Sequence, residues 1–305
     1  MVNNALILGG TGFIGKDLLS FLNSKNIECT TLSRNSFQFQ SDLFPKEHIQ
    51  ADITDFKNLK KVLYGRQFKY VVNLSGSIDH SPLTRGGIEV INSHFIGVQN
   101  LLRALDKSSL ECFIQIGSSD EYGNMSSPQY ESSRESPISP YSLAKTASTQ
   151  MLQMLYRAED FPVVILRFFL VYGGGQANNR FLPQVIKGCL NNQKFPVSKG
   201  EQLRDFCYLS DISRGIYAAL IEKKALGEVI NLASGSPISI KKLIENVNLI
   251  TGKGRPQFGE ILYRKGENMS LYADISKAKR LLNWEPKIDL NQGLRNTVAW
   301  YEQNN

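Results

Sequence analysis

Short apolar runs alternate with amphipathic stretches through the first half of the chain. The runs predict buried strands at Ala5–Leu8, Glu28–Leu32, Tyr70–Leu74, Cys112–Ile116 and Val163–Arg167. Apolar residues at helical spacing predict helices at Ile14–Ser24, Asn58–Leu63, Gly87–Asp106 and Tyr141–Arg157. This alternation indicates an α/β fold, a Rossmann-type doubly wound parallel sheet with helices on both faces.

The regular alternation of strand and helix patterns ends after Gly173. The later residues predict helices at Phe181–Leu190, at Asp211–Glu222 and at Ile238–Thr251, where Ser239 is a plausible cap, with a short strand at Gln202–Tyr208 and a helical C-terminal segment. We expect a dinucleotide-binding domain over residues 1–173 and a smaller mixed α/β substrate lobe over residues 174–305. The chain is expected to cross between the two lobes more than once.

Composition narrows the class of partner. The 305 residues carry Lys+Arg 35 against Asp+Glu 28, a net charge of +7, and the basic residues are dispersed. Dispersed positive charge suits an anionic small ligand better than nucleic acid. The four cysteines are far apart and indicate reduced thiols of a cytoplasmic protein, and the three histidines have no metal-ligand spacing. No apolar run approaches the roughly 18 residues of a membrane span, so we expect neither a metal nor a membrane partner.

A glycine-rich turn follows the first predicted strand. Gly9, Gly12 and Gly15 have a G-x-x-G-x-x-G spacing, with Thr11, Phe13 and Ile14 between them. Glycines at these places permit a tight turn, a close approach to a pyrophosphate and close helix–strand packing. With a strand before it and a helix after it, the turn predicts dinucleotide binding.

Tyr141 and Lys145 stand four residues apart, so they share one face of the predicted helix. A phenol beside an ammonium can exchange a proton with a sugar hydroxyl or ketone, because the cation favours the phenolate. The spacing alone is also common on solvated helices, and it gains meaning from the motifs around it.

Further motifs occur in order along nearly the whole chain. They are Ile116–Gly123 with the sequence IGSSDEYG, Leu166–Gly173 with LRFFLVYG, Leu203–Phe206 with LRDF followed by Asp211-Ile212, and Ala273–Pro286 with its ADISKA and LNWEP segments. Together with the glycine turn and the Tyr-Lys pair, they resemble the extended short-chain dehydrogenase/reductase family, in its nucleotide-sugar epimerase, dehydratase and 4-reductase branch.

The resemblance implies a catalytic trio. Tyr141 would exchange the proton on the sugar O4 while a hydride moves between C4 and the nicotinamide. Lys145 would stabilise the phenolate and hold the nicotinamide ribose, and Ser118 would orient the same oxygen. Ser119, its neighbour, competes for the role of Ser118 and is otherwise expected to contact substrate.

Cofactor choice is predicted from the end of the second strand. Ser33 and Arg34 stand where an acid would bind the ribose 2′-hydroxyl of NAD, and an arginine suits a 2′-phosphate, which favours NADP over NAD. Arg34 instead stacking on adenine or pointing to solvent is the alternative. The resemblance adds cofactor contacts at Asp52, Ile53, Leu74, Ser75, Gly76 and Asn92.

The substrate side is implied by resemblance alone. A nucleotide-diphosphate sugar would contact Arg204, Arg264, Asn179, Arg180 and Phe181, with the arginines suited to diphosphate by their forked geometry. Relatives form homodimers through two long helices, here Gly87–Asp106 and Tyr141–Arg157, in a four-helix bundle.

The choice of reaction rests on residues next to Ser118. Asp120 lies where 4,6-dehydratases carry an acid, and with Glu121 it is a possible additional acid/base pair, but the whole segment is closer to that of 4-keto-sugar reductases. We expect an NAD(P)-dependent 4-keto-reductase or 4-dehydrogenase of surface-polysaccharide sugar biosynthesis. A redox-neutral 4-epimerase or a 4,6-dehydratase is the alternative, and a non-catalytic dinucleotide-sensing protein is a distant one.

Overall fold

The computed structural model describes residues 3–36, 45–76, 78–263 and 266–304. The strands are β1 (Asn4–Leu8), β2 (Glu28–Ser33), β3 (Glu47–Gln50), β4 (Tyr70–Asn73), β5 (Cys112–Ser118), β6 (Val163–Phe168), β7 (Leu170–Tyr172), β8 (Lys194–Val197), β9 (Leu203–Tyr208), β10 (Val229–Leu232), β11 (Pro237–Ser239), β12 (Arg255–Phe258) and β13 (Ser270–Leu271). The α-helices are α1 (Phe13–Ser24), α2 (Phe56–Leu63), α3 (Ile88–Ile91), α4 (Gly97–Ala104), α5 (Pro140–Glu159), α6 (Phe181–Leu190), α7 (Leu209–Ile221), α8 (Ile240–Thr251), α9 (Ser276–Leu282) and α10 (Leu290–Gln303).

Seven strands form one sheet in the order β10-β6-β5-β4-β1-β2-β3, and every pair in it is parallel. The direction of winding reverses between β1 and β4. Open α/β sheets bind their ligands at such a switch point, outside the carboxyl ends of the strands. The predicted Rossmann-type fold class is confirmed.

Both faces of this sheet are covered. Ala5 and Ile7 of β1 join an apolar cluster with α1, α7 and α9, whereas Leu6 and Leu8 join a second cluster with α2, α4 and α5. Successive strand side chains point to opposite faces, so a strand covered on both sides must be apolar at nearly every position. This explains the continuous apolar runs of the sequence.

The second lobe has its own core. Strand β9 pairs with β7, β11 and β13, and β8 pairs with β12. Helices α6, α8 and α10 pack around a third apolar cluster. Ser239 caps α8 as predicted, because its Oγ accepts a hydrogen bond from the backbone N–H of Lys242 at 3.2 Å.

The chain returns to the first lobe after entering the second. Strand β10, which the apolar pattern did not predict, forms an edge of the seven-stranded sheet, and α7 packs against α1. A division after Gly173 is therefore too simple, because both elements follow that residue. Strand β3 was also not predicted, since its sequence EHIQ is mostly polar and lies at the other edge.

The predicted helix over Gly87–Asp106 has a different form. Arg85 and Gly86 adopt non-helical angles, with φ of 99° at Gly86, and the helix proper begins at Ile88. A π-helical turn over Asn92–Ile96 then joins α3 to α4. Such turns widen a helix locally and occur often at functional sites.

Candidate active site

The turn between β1 and α1 is built for a close approach. Gly9 has φ of 75°, and its carbonyl accepts a hydrogen bond from the Gly12 N–H at 3.0 Å. A Cβ on Gly15 would lie 2.3 Å from the Gly9 carbonyl oxygen, so this position needs glycine. Helix α1 starts after Gly12 with no side-chain cap, which leaves its first N–H groups for a phosphate. The predicted glycine motif, including Thr11, Phe13 and Ile14, therefore forms a cradle that fits a dinucleotide.

A second turn lies against this one. After β4, Leu74 approaches Gly9 so closely that a Cβ on Gly9 would lie 3.0 Å from the Leu74 carbonyl oxygen. Ser75 donates to the Asn73 side chain at 2.5 Å, and Gly76, with φ of 107°, packs on the ring of His94. The structure thus places the Leu74–Gly76 segment beside the glycine turn.

Two more predicted cofactor positions lie nearby in the fold. The Asp52 carboxylate accepts hydrogen bonds from the N–H and hydroxyl of Thr54, both at 2.8 Å, while Ile53 is buried against Gly97. Asn92 is exposed at the start of the π-helical turn. Asp52 is therefore held in a turn that keeps one carboxylate oxygen for another donor.

The end of β2 carries no acid. Ser33 donates to the Asn35 carbonyl at 2.9 Å, and the side chain of Arg34 is exposed. An exposed arginine at this edge is available to a 2′-phosphate, although exposure alone equally fits stacking on adenine.

Ser118, Tyr141 and Lys145 converge from two elements. Ser118 ends β5, and Tyr141 and Lys145 lie in the first turns of α5, which Ser139 caps and Pro140 opens. The Lys145 ammonium donates to the Ile116 carbonyl at 2.8 Å and lies 5.8 Å from the centre of the Tyr141 ring. Ser118 lies close enough to Tyr141 for its hydroxyl to lower the pKa of the phenol, whereas Ser119 is buried.

Burial dominates the electrostatics of this trio. Burial lowers the pKa of Lys145 to about 8, and the nearby Glu121 carboxylate opposes that change. Burial also raises the pKa of Tyr141, the charge of Asp120 adds to the rise, and the Ser118 hydrogen bond counters it. The expected lowering of the phenol pKa by Lys145 is therefore outweighed in the protein alone.

Glu121 has a different place from the one expected of an acid/base. Its carboxylate is fully buried and accepts hydrogen bonds from the Ser118 N–H at 2.8 Å, the Thr149 hydroxyl at 2.8 Å and Arg167 at 2.9 and 3.1 Å. These partners belong to β5, α5 and β6, and none of the Glu121 side chain is exposed. Glu121 is therefore tied into the fold, whereas the Asp120 side chain is one-third exposed.

Asp120 faces the cleft together with a histidine that the sequence did not single out. The His80 Nε2 lies 3.6 Å from an Asp120 oxygen, and its ring lies edge-on to Tyr141 with centroids 5.3 Å apart. His94 contacts the same tyrosine ring at 5.0 Å. Burial raises the pKa of Asp120, while the charges of His80 and Arg204 oppose the rise. No sequence motif marks His80, because the pair forms only when the segment after β4 meets the end of β5.

The predicted substrate residues come from the second lobe. Arg204 pairs with Glu267 and also donates to the Leu203 carbonyl at 2.8 Å. Arg180 is the N-cap residue of α6, between Asn179 and Phe181, which are both exposed. The positive charge of Arg180 acts to lower the pKa of Tyr141. Arg264 lies outside the described residues.

Among the described residues, no group of three or more His, Cys, Asp or Glu side chains is arranged to hold a metal ion. No helix in the same ranges is long and apolar enough to cross a membrane.

Known proteins are similar to this chain over most of its length. The model of the NAD dependent epimerase/dehydratase family matches residues 5–233. UDP-glucuronate 4-epimerase of Thermodesulfobacterium geofontis is 31% identical over 259 residues, which are 84% of this chain and 79% of that protein.

Solved structures agree over almost the whole length. Pal from Bacillus thuringiensis superposes with a TM-score of 0.90 at 28% identity, covering 99% of this chain and 100% of that one. A tyrosine-to-phenylalanine variant of UDP-glucuronic acid 4-epimerase from Bacillus cereus, bound to UDP-4-deoxy-4-fluoro-glucuronic acid and NAD, gives a TM-score of 0.86 at 28% identity, with coverage of 99% and 100%.

Proposed function

Because this chain belongs to the NAD-dependent epimerase/dehydratase family, we propose that it is a 4-keto-reductase or 4-dehydrogenase of a nucleotide-diphosphate sugar. The convergence of Ser118, Tyr141 and Lys145 beside the glycine cradle supports hydride transfer at C4. The observation that favours a net redox reaction is the Asp120–His80 pair next to Tyr141. Members of this family are NAD-dependent enzymes that act on nucleotide sugars, and the trio provides what a reaction at C4 requires.

Each residue of the trio has a separate task. A bound nicotinamide supplies or accepts the hydride at C4. Tyr141 gives a proton to the oxygen at C4 during reduction and takes it back during oxidation. Ser118 donates a hydrogen bond to the same oxygen and fixes its position, and the Lys145 ammonium lowers the cost of forming the phenolate. The glycine turn and the N–H groups of α1 would hold the cofactor pyrophosphate.

Dehydration is a weaker candidate because it needs more than the trio. Removing water across C5 and C6 requires a base for the C5 proton and an acid for the C6 hydroxyl. Glu121 is committed to Arg167 and the backbone, so Asp120 with His80 would have to serve both purposes.

Epimerisation is the second candidate, and the named relative favours it. An epimerase must return the hydride to the opposite face of C4, so the keto sugar has to turn over inside the site. The His80 Nε2 and an Asp120 oxygen lie 3.6 Å apart next to Tyr141, and both side chains offer hydrogen bonds to sugar hydroxyls. Such bonds hold the sugar in one orientation, which suits net oxidation or reduction.

The ligands follow from the arginines and from the relatives. We propose a UDP- or dTDP-sugar whose diphosphate displaces Glu267 from Arg204. Arg34 favours NADP, while the complex of the Bacillus cereus epimerase contains NAD. Both cofactors therefore belong in the first experiment.

A homodimer is part of the proposal. Leu143 is 51% and Met154 is 44% exposed on α5, and their spacing puts them on one helix face. Leu152, in contrast, is buried in the first lobe. The exposed apolar face of α5 is suited to pairing with the same face of a second copy.

The test is turnover of 4-keto-6-deoxy and unmodified UDP-, dTDP-, GDP- and CDP-sugars with NADPH, NADH or their oxidised forms. One cofactor consumed per sugar changed, measured by absorbance and sugar NMR, supports the reductase or dehydrogenase. Conversion without net cofactor consumption shifts the assignment to the epimerase or the 4,6-dehydratase, whose products sugar NMR distinguishes. The Tyr141→Phe variant should lose at least about 1,000-fold in kcat while keeping its affinity for cofactor.

A further inference from the structure

Glu121 joins the two elements that carry the trio, β5 and α5, to strand β6. Its Oε1 accepts from the N–H of Ser118 at the end of β5, and its Oε2 accepts from the Thr149 hydroxyl on α5. Thr149 lies one helical turn beyond Lys145, on the same face of α5. Arg167 of β6 also donates to the Glu121 carboxylate, through its Nε and Nη2. One buried carboxylate thus connects the strand end that bears Ser118 with the helix that bears Tyr141 and Lys145.

The same carboxylate completes a balanced set of buried charges. Arg167 is fully buried and pairs with both Glu121, at 2.9 Å, and Glu135, at 2.6 Å. Two carboxylates against one guanidinium leave one negative charge over. The Lys145 ammonium bonds the Ile116 carbonyl, two residues from the Ser118 N–H that Glu121 bonds, so a cation lies at the same end of β5. Buried charges are tolerated when they are paired and hydrogen-bonded, as Arg167 is through Nε and Nη2, whereas its buried Nη1 has no hydrogen-bond partner among the described residues.

We propose that Glu121 is a positioning residue for the reaction at C4, fixing Ser118 relative to Tyr141 and Lys145 and supplying the counter-charge of the Lys145 ammonium. This inference rests on the proposed function for its kinetic consequences, but its electrostatic part concerns the protein alone. Glu121 acts through Ser118 and Lys145 and does not touch the substrate.

The test compares Glu121→Gln with Glu135→Gln. Both substitutions neutralise one of the two carboxylates on Arg167. Only the first weakens the bonds from Ser118 and Thr149, because the amide keeps a single acceptor oxygen, and only the first removes the negative charge that acts on Lys145. The titration of Lys145 is followed by NMR of ¹³Cε-labelled lysine in protein without sugar, with its signal assigned by loss in Lys145→Met. Steady-state kinetics follow on the same samples.

We expect Glu121→Gln to lower the titration midpoint of Lys145 by about one pH unit. It should lower kcat about 10- to 100-fold at pH 8 with KM within about threefold, as misplacement of reacting groups does. Glu135→Gln should leave the midpoint unchanged and kcat within about threefold. Equal effects of the two variants, or an unchanged Lys145 midpoint in Glu121→Gln, would overturn the proposal.

Failure of the proposed function and failure of the positioning role of Glu121 give different results. If no sugar is turned over, the proposed function fails, and the Lys145 titration still decides the electrostatic part. If Glu121→Gln does not fold, Thr149→Val takes its place, because it removes one hydrogen bond to the carboxylate and introduces no charge change. It should lower kcat several-fold and also lower the thermal midpoint, because a buried carboxylate loses a donor. Wild-type kcat in the folded variant contradicts positioning.

Discussion

Replacing Lys145 by methionine should stabilise the protein at pH 7 while it removes activity. Burial lowers the pKa of this lysine from 10.5 to about 8, which corresponds to roughly 3 kcal/mol against the charged form in the folded state. Methionine reaches as far as the Cε of lysine and lacks the terminal ammonium. The Ile116 carbonyl loses its donor, at a cost of about 1–2 kcal/mol. We therefore expect a net gain of about 1–2 kcal/mol in the free energy of unfolding.

The stability difference between Lys145→Met and wild type should depend on pH. Between about 8 and 10.5 the unfolded chain keeps a proton on Lys145 that the folded protein has released. Wild-type stability therefore rises with pH through this window, and below it the penalty is complete. The advantage of Lys145→Met should be largest at pH 7 and shrink towards pH 10. Activity should run the other way, because the ammonium that supports the phenolate is lost above about pH 8.

Urea unfolding of cofactor-free protein at pH 7.0 and 9.5 measures the difference. Lys60→Met is the matched control, since Lys60 is exposed on α2, and it should change stability by less than about 0.5 kcal/mol at either pH. A Lys145→Met variant that is less stable than wild type at pH 7, with the same deficit at pH 9.5, refutes the reasoning.

Three further changes test other parts of the site. Gly15→Ala puts a methyl group 2.3 Å from the Gly9 carbonyl oxygen and should weaken cofactor binding at least about 100-fold by NADH and NADPH fluorescence titration, whereas Gly65→Ala, with open space around it, should leave affinity unchanged. Arg34→Ala should raise KM for NADPH at least about tenfold relative to NADH, and an equal effect on both cofactors contradicts a 2′-phosphate contact. Met154→Lys should convert the proposed homodimer to a monomer in light scattering, and a wild-type that is already monomeric counts against the α5 interface.

The parts of the site that sequence predicts are those confined to one element or one turn. The spacing of Gly9, Gly12 and Gly15 within a strand–turn–helix unit fixes their arrangement, because the backbone of that unit sets the distances. Tyr141 and Lys145 likewise meet through helical periodicity alone. The seven-stranded sheet follows from the same local signals, apart from the polar edge strand β3 and the returning strand β10.

The parts that sequence missed depend on contacts between distant segments. Glu121 and Arg167 are 46 residues apart, and nothing in the spacing of either motif shows that the glutamate turns inward to the arginine. The family resemblance gave only the position of Glu121 in a motif, and that position suggested an acid/base role. The donors around the Glu121 carboxylate are the Ser118 N–H, the Thr149 hydroxyl and Arg167, and they tie it into the fold.

The residues that distinguish one reaction from another lie on the open side of Tyr141. Behind the ring, Lys145 donates to the Ile116 carbonyl, an arrangement that we propose serves hydride transfer at C4. In front of it, Asp120 follows β5, His80 follows β4 and Arg204 enters from the second lobe, and we expect these three segments to supply the groups that meet the sugar. Motifs within single elements therefore identify the family, whereas we expect the choice of reaction to depend on the place where those three segments converge. Reductases and epimerases can share the first arrangement and differ in the second.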